Sequence, residues 1–172
     1  MTLERLWAGW RAPFVGGDAD ADVAPGAPAC VFCRILSSGR PDTETHLLWR
    51  HPGGRVVALL NAYPYTSGHL MVMPVRHVGD LEALDPDEAA AVMEGVAAAV
   101  RAVKGAYRPD GLNVGANLGA AAGAGVPGHL HLHVLPRWSG DTNFMTALFE
   151  TRVLPEALSQ SAEKLREAWP AG

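Results

Sequence analysis

The chain of 172 residues has only two cysteines, Cys30 and Cys33. Two thiols so close in sequence cannot staple a fold. In a reducing compartment they point to metal or redox chemistry. Excess charge is also scarce. A net charge of −4 gives no bulk electrostatic case for DNA or RNA binding. A small anionic ligand needs only local donors and is not excluded. No apolar run is long enough to span a bilayer, so no membrane partner is expected. The opening Met1–Trp7 lacks a basic start followed by an apolar block, which predicts no secretory signal and a cytoplasmic location. No segment repeats at solenoid spacing. The length suits one domain with a full core, and the 48% apolar share fits a globular protein.

Several segments have readable patterns. Residues 16–29 are rich in Gly, Ala, Asp and Pro and read as a loop, preceded by Trp7 and Trp10 in a segment packing on the body. Arg55–Asn61 reads as a buried strand and His69–Pro74 as a second, joined by a turn through residues 63–68. Asp85-Pro86-Asp87-Glu88 is a helix start with a capping-box pattern. Ala89, Val92, Met93, Val96, Val100 and Val103 then form one apolar face, with Gly105 as the stop. Gly111–Asn117 reads as a third strand. Pro155 opens a last helix with Leu158, Ala162, Leu165 and Trp169 on one face, ended by Pro170. Clustered strands with little strict alternation predict an α+β fold, an antiparallel sheet with a helix packed on it.

The most informative stretch is His129-Leu130-His131-Leu132-His133-Val134. Period-two alternation predicts a strand that buries Leu130, Leu132 and Val134 and presents His129, His131 and His133 on one shared surface. Imidazole suits nucleophilic, acid–base or metal work near neutral pH. Surface filler, a pure metal site and a nucleophile with helpers all remain open on the pattern alone. The Gly/Ala loop of residues 117–125 precedes this strand, and its small side chains let backbone N–H groups approach a phosphate closely. A plain connector is the bland alternative. Cys30-Val31-Phe32-Cys33 has the spacing of half a zinc site, with a redox dithiol as competitor. His77 and one histidine of the strand are candidate completing ligands. Asn61 and Asn117 end apparent strands, where they can close turns or hydrogen-bond a nucleotide. His69 and Arg137 have similar double readings. His46 and His51 read as ordinary surface residues.

The alternating histidines resemble the motif of the histidine-triad (HIT) family of nucleotide hydrolases and transferases. Asn61 before a Gly-His pair, the Pro74-x-x-His77 turn and Asn117 upstream agree in order and spacing, over about Cys30 to Phe144. The opening Leu3–Arg11 and the ending Leu135–Phe144 look most like diadenosine tetraphosphate phosphorylase-type bacterial members. The resemblance implies a five-stranded antiparallel sheet with a long packed helix, to which the pattern adds a C-terminal helix. It implies a single domain over residues 1–172, with an N-terminal extension (1–29), a HIT core (30–144) and a C-terminal extension (145–172). His131 would attack the α-phosphorus and form a nucleotidyl-histidine, its other nitrogen held as a donor by a backbone carbonyl. His133 would donate to a phosphate oxygen. Asn117 and the loop around Gly123 and Gly125 would hold phosphates, and Asn61 the ribose. Cys30, Cys33, His77 and His129 would bind a structural zinc. No organic cofactor is implied. The expected substrates are dinucleoside polyphosphates such as diadenosine tetraphosphate. Nucleoside phosphoramidate hydrolysis and a zinc-stabilised binding module with little turnover are alternatives. Two subunits are expected to join as a homodimer. The chain departs from many members at Gly125 and Val126, where they carry Gln, Ser or Thr near the leaving group.

Overall fold

The computed structural model describes residues 30–141 and 156–170. Trp7, Trp10, the loop 16–29, Thr142–Phe144 and Pro155 lie outside them. Among the described residues two short helices come first, α1 (Val31–Ser37) and α2 (Asp42–Thr45). The strands are β1 (Leu47–Arg50), β2 (Val56–Leu60), β3 (Leu70–Pro74), β4 (Gly111–Gly115) and β5 (Leu132–Arg137). The long helix α3 (Pro86–Tyr107) lies between β3 and β4, and α4 (Leu158–Glu167) comes last. The strands form one antiparallel sheet in the order β1-β2-β3-β5-β4. The α+β expectation holds. Among the described residues, no helix is long and apolar enough to cross a membrane.

Both faces of the central strands are covered. Val56, Ala58, Leu60, Leu70, Val72 and Val134 pack beneath α3 and α4. Val57, Leu59, Met71 and Met73 pack with Phe32 of α1 on the other face. This explains why Arg55–Asn61 reads as an unbroken apolar run, since a strand buried on both sides has no polar alternation. At Gly95 the helix lies so close to the sheet that a β-carbon would sit 3.0 Å from Val72 Cγ1.

The helix start is as expected. Asp85 accepts from the Glu88 N–H at 2.7 Å, and the Glu88 carboxylate accepts from the Asp85 N–H at 3.3 Å. Gly105 is not the stop. The helix runs on to Tyr107 and ends at Arg108, whose φ is +47°. A β-carbon on Gly105 would stand 3.4 Å from Ala168 Cβ, so this glycine marks where the C-terminal helix comes close. The last helix buries Ala162 and Leu165 as expected, while Trp169 lies just beyond it and stacks on Trp49. Strand β1 is additional to the expected strands. His46 and His51 are not ordinary surface residues. His46 takes a left-handed conformation with its Nδ1 buried and unpartnered, and His51 pairs with Glu94 at 3.2 Å.

Candidate active site and metal centre

The first two histidines are more deeply buried than alternation predicts. The ladder begins at Leu132, so His129 and His131 lie in the approach to β5 rather than within it. Neither is on a surface: His129 is 0% exposed and His131 is 5% exposed. Phe32 of α1 meets both rings edge-on, at 5.4 Å from His129 and 5.1 Å from His131.

Hydrogen bonds assign each ring a tautomer. His131 Nδ1 lies 2.7 Å from the His129 carbonyl oxygen. A carbonyl only accepts, so Nδ1 carries the proton and Nε2 keeps its lone pair. Burial lowers the pKa of His131 from 6.5, outweighing the opposing pull of that carbonyl. The ring is therefore neutral at pH 7 and presents a basic nitrogen.

His133 is set by a longer chain of contacts. The Tyr65 N–H donates to His69 Nδ1 at 3.1 Å, which makes His69 Nε2 the protonated nitrogen. That Nε2 lies 2.9 Å from His133 Nδ1 and donates to it. His133 then bears its proton on Nε2. The rings of His131 and His133 are 5.0 Å apart. A nitrogen lone pair and an N–H donor thus stand side by side. Across the ladder His133 faces Gly115, where a β-carbon would meet nothing within 4 Å, so the space beside the ring is open. His69 is fully buried, and its role rests on a partner 64 residues away. Phe32 and Tyr65, stacked on His69 at 4.8 Å, had no signal in the sequence.

The second cluster adjoins the first. The ligand atoms of Cys30, Cys33, His77 and His129 all lie within 4.8 Å of one another. Cys30 Sγ is 3.4 Å and Cys33 Sγ 3.6 Å from His129 Nδ1, and Cys33 Sγ is 3.4 Å from His77 Nδ1. A tetrahedral zinc with ordinary bond lengths separates sulfur from nitrogen by about 3.5 Å, so the donor set fits zinc. His129 Nε2 donates to the Pro74 carbonyl at 2.9 Å, which turns the unprotonated Nδ1 towards the sulfurs. Burial, then the neighbouring Cys30, raises the Cys33 thiol pKa, so its thiolate form calls for a cation to offset the charge. Cys30 caps the N-terminus of α1 and Cys33 sits in its first turn.

The remaining candidates have local partners. Asn61 Oδ1 accepts from the Tyr63 N–H at 2.9 Å, closing a turn. Asn117 Nδ2 donates to the Gly123 carbonyl at 3.2 Å and staples the loop. The N–H groups of Gly123 and Ala124 bond within that loop, and Gly125 adds no side chain to it. Val126 packs with the apolar cluster around Phe32. Arg137 is engaged by Asp141 and by Asn113 at 2.8 Å, which favours its structural reading.

A sequence profile described as the HIT domain matches residues 51–140. This chain belongs to the HIT family. It is a HIT-type enzyme by that membership together with its likeness to a curated phosphorylase. It is 40% identical to an AP-4-A phosphorylase of Mycobacterium tuberculosis strain H37Rv, over 97% of this chain and 85% of that protein. Among solved structures it is similar to a Zn-bound histidine triad family protein from Mycobacterium smegmatis. The two share 33% identity at a TM-score of 0.64, covering 81% of this chain and 91% of that one. A hypothetical histidine triad nucleotide-binding protein from Sulfolobus tokodaii is 28% identical at a TM-score of 0.65, again covering 81% and 91% of the two chains. The α+β architecture of this HIT protein agrees with those neighbours.

Proposed function

We propose that the protein cleaves dinucleoside polyphosphates such as diadenosine tetraphosphate, through a nucleotidyl intermediate on His131. The observation that carries this reading is the 2.7 Å bond from His131 Nδ1 to the His129 carbonyl, which leaves Nε2 as a neutral nucleophile. The Nε2 lone pair attacks the α-phosphorus, and the bond to the bridging oxygen breaks with its electron pair on the departing polyphosphate. The His133 Nε2–H donates to a non-bridging oxygen as charge grows there. An oxygen of inorganic phosphate or water then attacks the same phosphorus and breaks the P–N bond, returning the electron pair to His131. Asn61 is the candidate ribose contact, and Asn117 with the loop at Gly123 and Gly125 the candidate phosphate contacts, the Gly123 N–H having to leave the Ala120 carbonyl to take part. Because Gly125 and Val126 offer no polar side chain, the departing oxygen is helped by backbone N–H groups or by the substrate's own phosphates.

Cys30, Cys33, His77 and His129 are assigned to a structural zinc, a closed set of four that leaves no position for substrate. The likeness to a Zn-bound HIT protein supports this. The functional unit is proposed to be a cytoplasmic homodimer.

Product analysis with diadenosine tetraphosphate, with and without inorganic phosphate, tests the substrate. ADP plus ATP formed only with phosphate means a phosphorylase, and AMP plus ATP without it means a hydrolase. No product in either tube refutes the substrate and moves phosphoramidates forward. His131→Ala tests the mechanism: turnover is lost while nucleotide binding persists. Unchanged turnover would refute the nucleophile.

A further inference from the structure

We propose that Tyr107, the last residue of α3, is a positioning residue that sets the aim of His69 on His133. The inference deepens the proposed function and rests on it only for the kinetic readout.

The turn before β3 carries His69 into place. Gly68, with φ +79°, is the residue immediately before His69. The Tyr107 ring covers it so closely that a β-carbon there would sit 2.6 Å from Cε2 and 2.9 Å from Cζ. Only glycine leaves room for the ring, and the ring leaves no room for the turn to lift. The other side of the turn is tied to the catalytic strand, since Thr66 Oγ1 donates to the Pro136 carbonyl at 3.1 Å. Within the turn the His69 N–H donates to the Thr66 carbonyl at 3.1 Å.

Tyr107 is itself held in place. Its hydroxyl donates to Glu156, which also accepts from Ser161 Oγ at 2.7 Å and pairs with Lys164. The Lys164 ammonium lies 5.6 Å from the centre of the Tyr107 ring. Trp138, just after β5, meets the ring edge-on at 6.2 Å. The C-terminal helix thus fixes an aromatic ring, the ring presses on Gly68, and Gly68 fixes where the next residue points.

The aim matters because His69 meets His133 through one 2.9 Å nitrogen-to-nitrogen contact. If it breaks, His133 is free to take its proton on Nδ1 and no longer offers Nε2–H. A misplacement of about 1 Å can cost on the order of a hundredfold in rate.

The test uses the full chain labelled with ¹⁵N-histidine. Ring nitrogen shifts report tautomers in the free protein, and kcat and KM are measured alongside. In the wild type, His69 and His133 are each expected as one tautomer, protonated on Nε2. Tyr107→Ala is expected to mix the His133 tautomers and lower kcat about tenfold, with KM changed less than about twofold. Tyr107→Phe keeps the ring against Gly68 and is expected to recover most of both properties. Gly68→Ala pushes on the ring from the other side and is expected to reproduce the Tyr107→Ala signature, so the inference stays testable if one variant does not fold. A folded Tyr107→Ala or Gly68→Ala protein with wild-type tautomers at His133 overturns the inference, whatever its melting temperature. Wild-type protein that fails to cleave diadenosine tetraphosphate overturns the substrate instead and leaves the tautomer readout intact.

Discussion

Replacing Cys33 with serine probes the metal centre and the nucleophile together. The proposed zinc ties together α1, the residues after β3 and the approach to β5. Cys33 lies 44 residues from His77 and 96 from His129. Treated as a cross-link, a loop of that length removes about 4–5 kcal/mol of unfolded-chain entropy. Metal binding to the unfolded thiols and imidazoles reduces the net effect, so the expected loss is about 2–4 kcal/mol. For a chain of this size, that is a fall in Tm of about 5–15 °C. Activity should fall as well. His129 presents its ring to the sulfurs and its carbonyl to His131 Nδ1, so a ring released from the metal loosens the bond that orients the nucleophile. The assay is metal content by mass spectrometry beside thermal melts of wild type, Cys33→Ser and chelator-treated wild type. About one zinc per chain is expected in wild type and little in the variant. Wild-type protein that is free of zinc yet keeps its Tm and kcat would refute the reasoning.

Three further outcomes are expected. His69→Leu leaves His133 Nδ1 without its buried donor. It should destabilise the protein by about 1–3 kcal/mol and lower kcat by roughly ten- to a hundredfold; a wild-type kcat would show that His69 does not set His133. Glu88, a capping residue bound by Arg76, has a pKa lowered from 4.5 to about 2, with the Arg76 bond as the main cause. A depressed carboxylate stabilises the fold above the unfolded value and loses that effect as pH falls from about 4.5 towards 2. Urea titrations should show Glu88→Gln less stable by about 1–2 kcal/mol at pH 7, a gap that closes over that window; a gap constant with pH would contradict the linkage. His131 reacts as the neutral ring and its pKa lies below 6.5, chiefly through burial. The acid limb of the rate should therefore centre below pH 6.5. Stability should move with the same sign, because the unfolded chain takes up the proton first as pH drops through 6.5. An acid limb centred above pH 6.5 would contradict the buried neutral ring.

The histidine run, the capped helix and the Cys-x-x-Cys pair were legible because each is a local pattern with a local cause. The run misled in where the strand begins and in presenting His129 and His131 as surface residues. His129 and His131 are drawn out of the ladder by partners beyond the strand: the sulfurs, the Pro74 carbonyl and Phe32. Strand β1 was missed because Leu47 and Leu48 are both buried, so the segment lacks alternation. Gly105 looked like a terminator because its role, contact with Ala168, depends on a helix about sixty residues on. The double reading of His69 could not be narrowed for the same reason. Its meaning lies in a ring that only the sheet brings within reach.

The central strands buried on both faces bear on how such a protein can change over generations. Every residue of β2 and β3 is enclosed, so none can be exchanged for a new functional group without opening the core. The reactive side chains stand instead at or near strand entrances, His69 before β3, His129 and His131 before β5 and His133 at its second residue. New specificity therefore has to arise at the rim, in the turn between β2 and β3 and the Gly/Ala loop between β4 and β5. Insertions and replacements there leave the inherited nucleophile where it is.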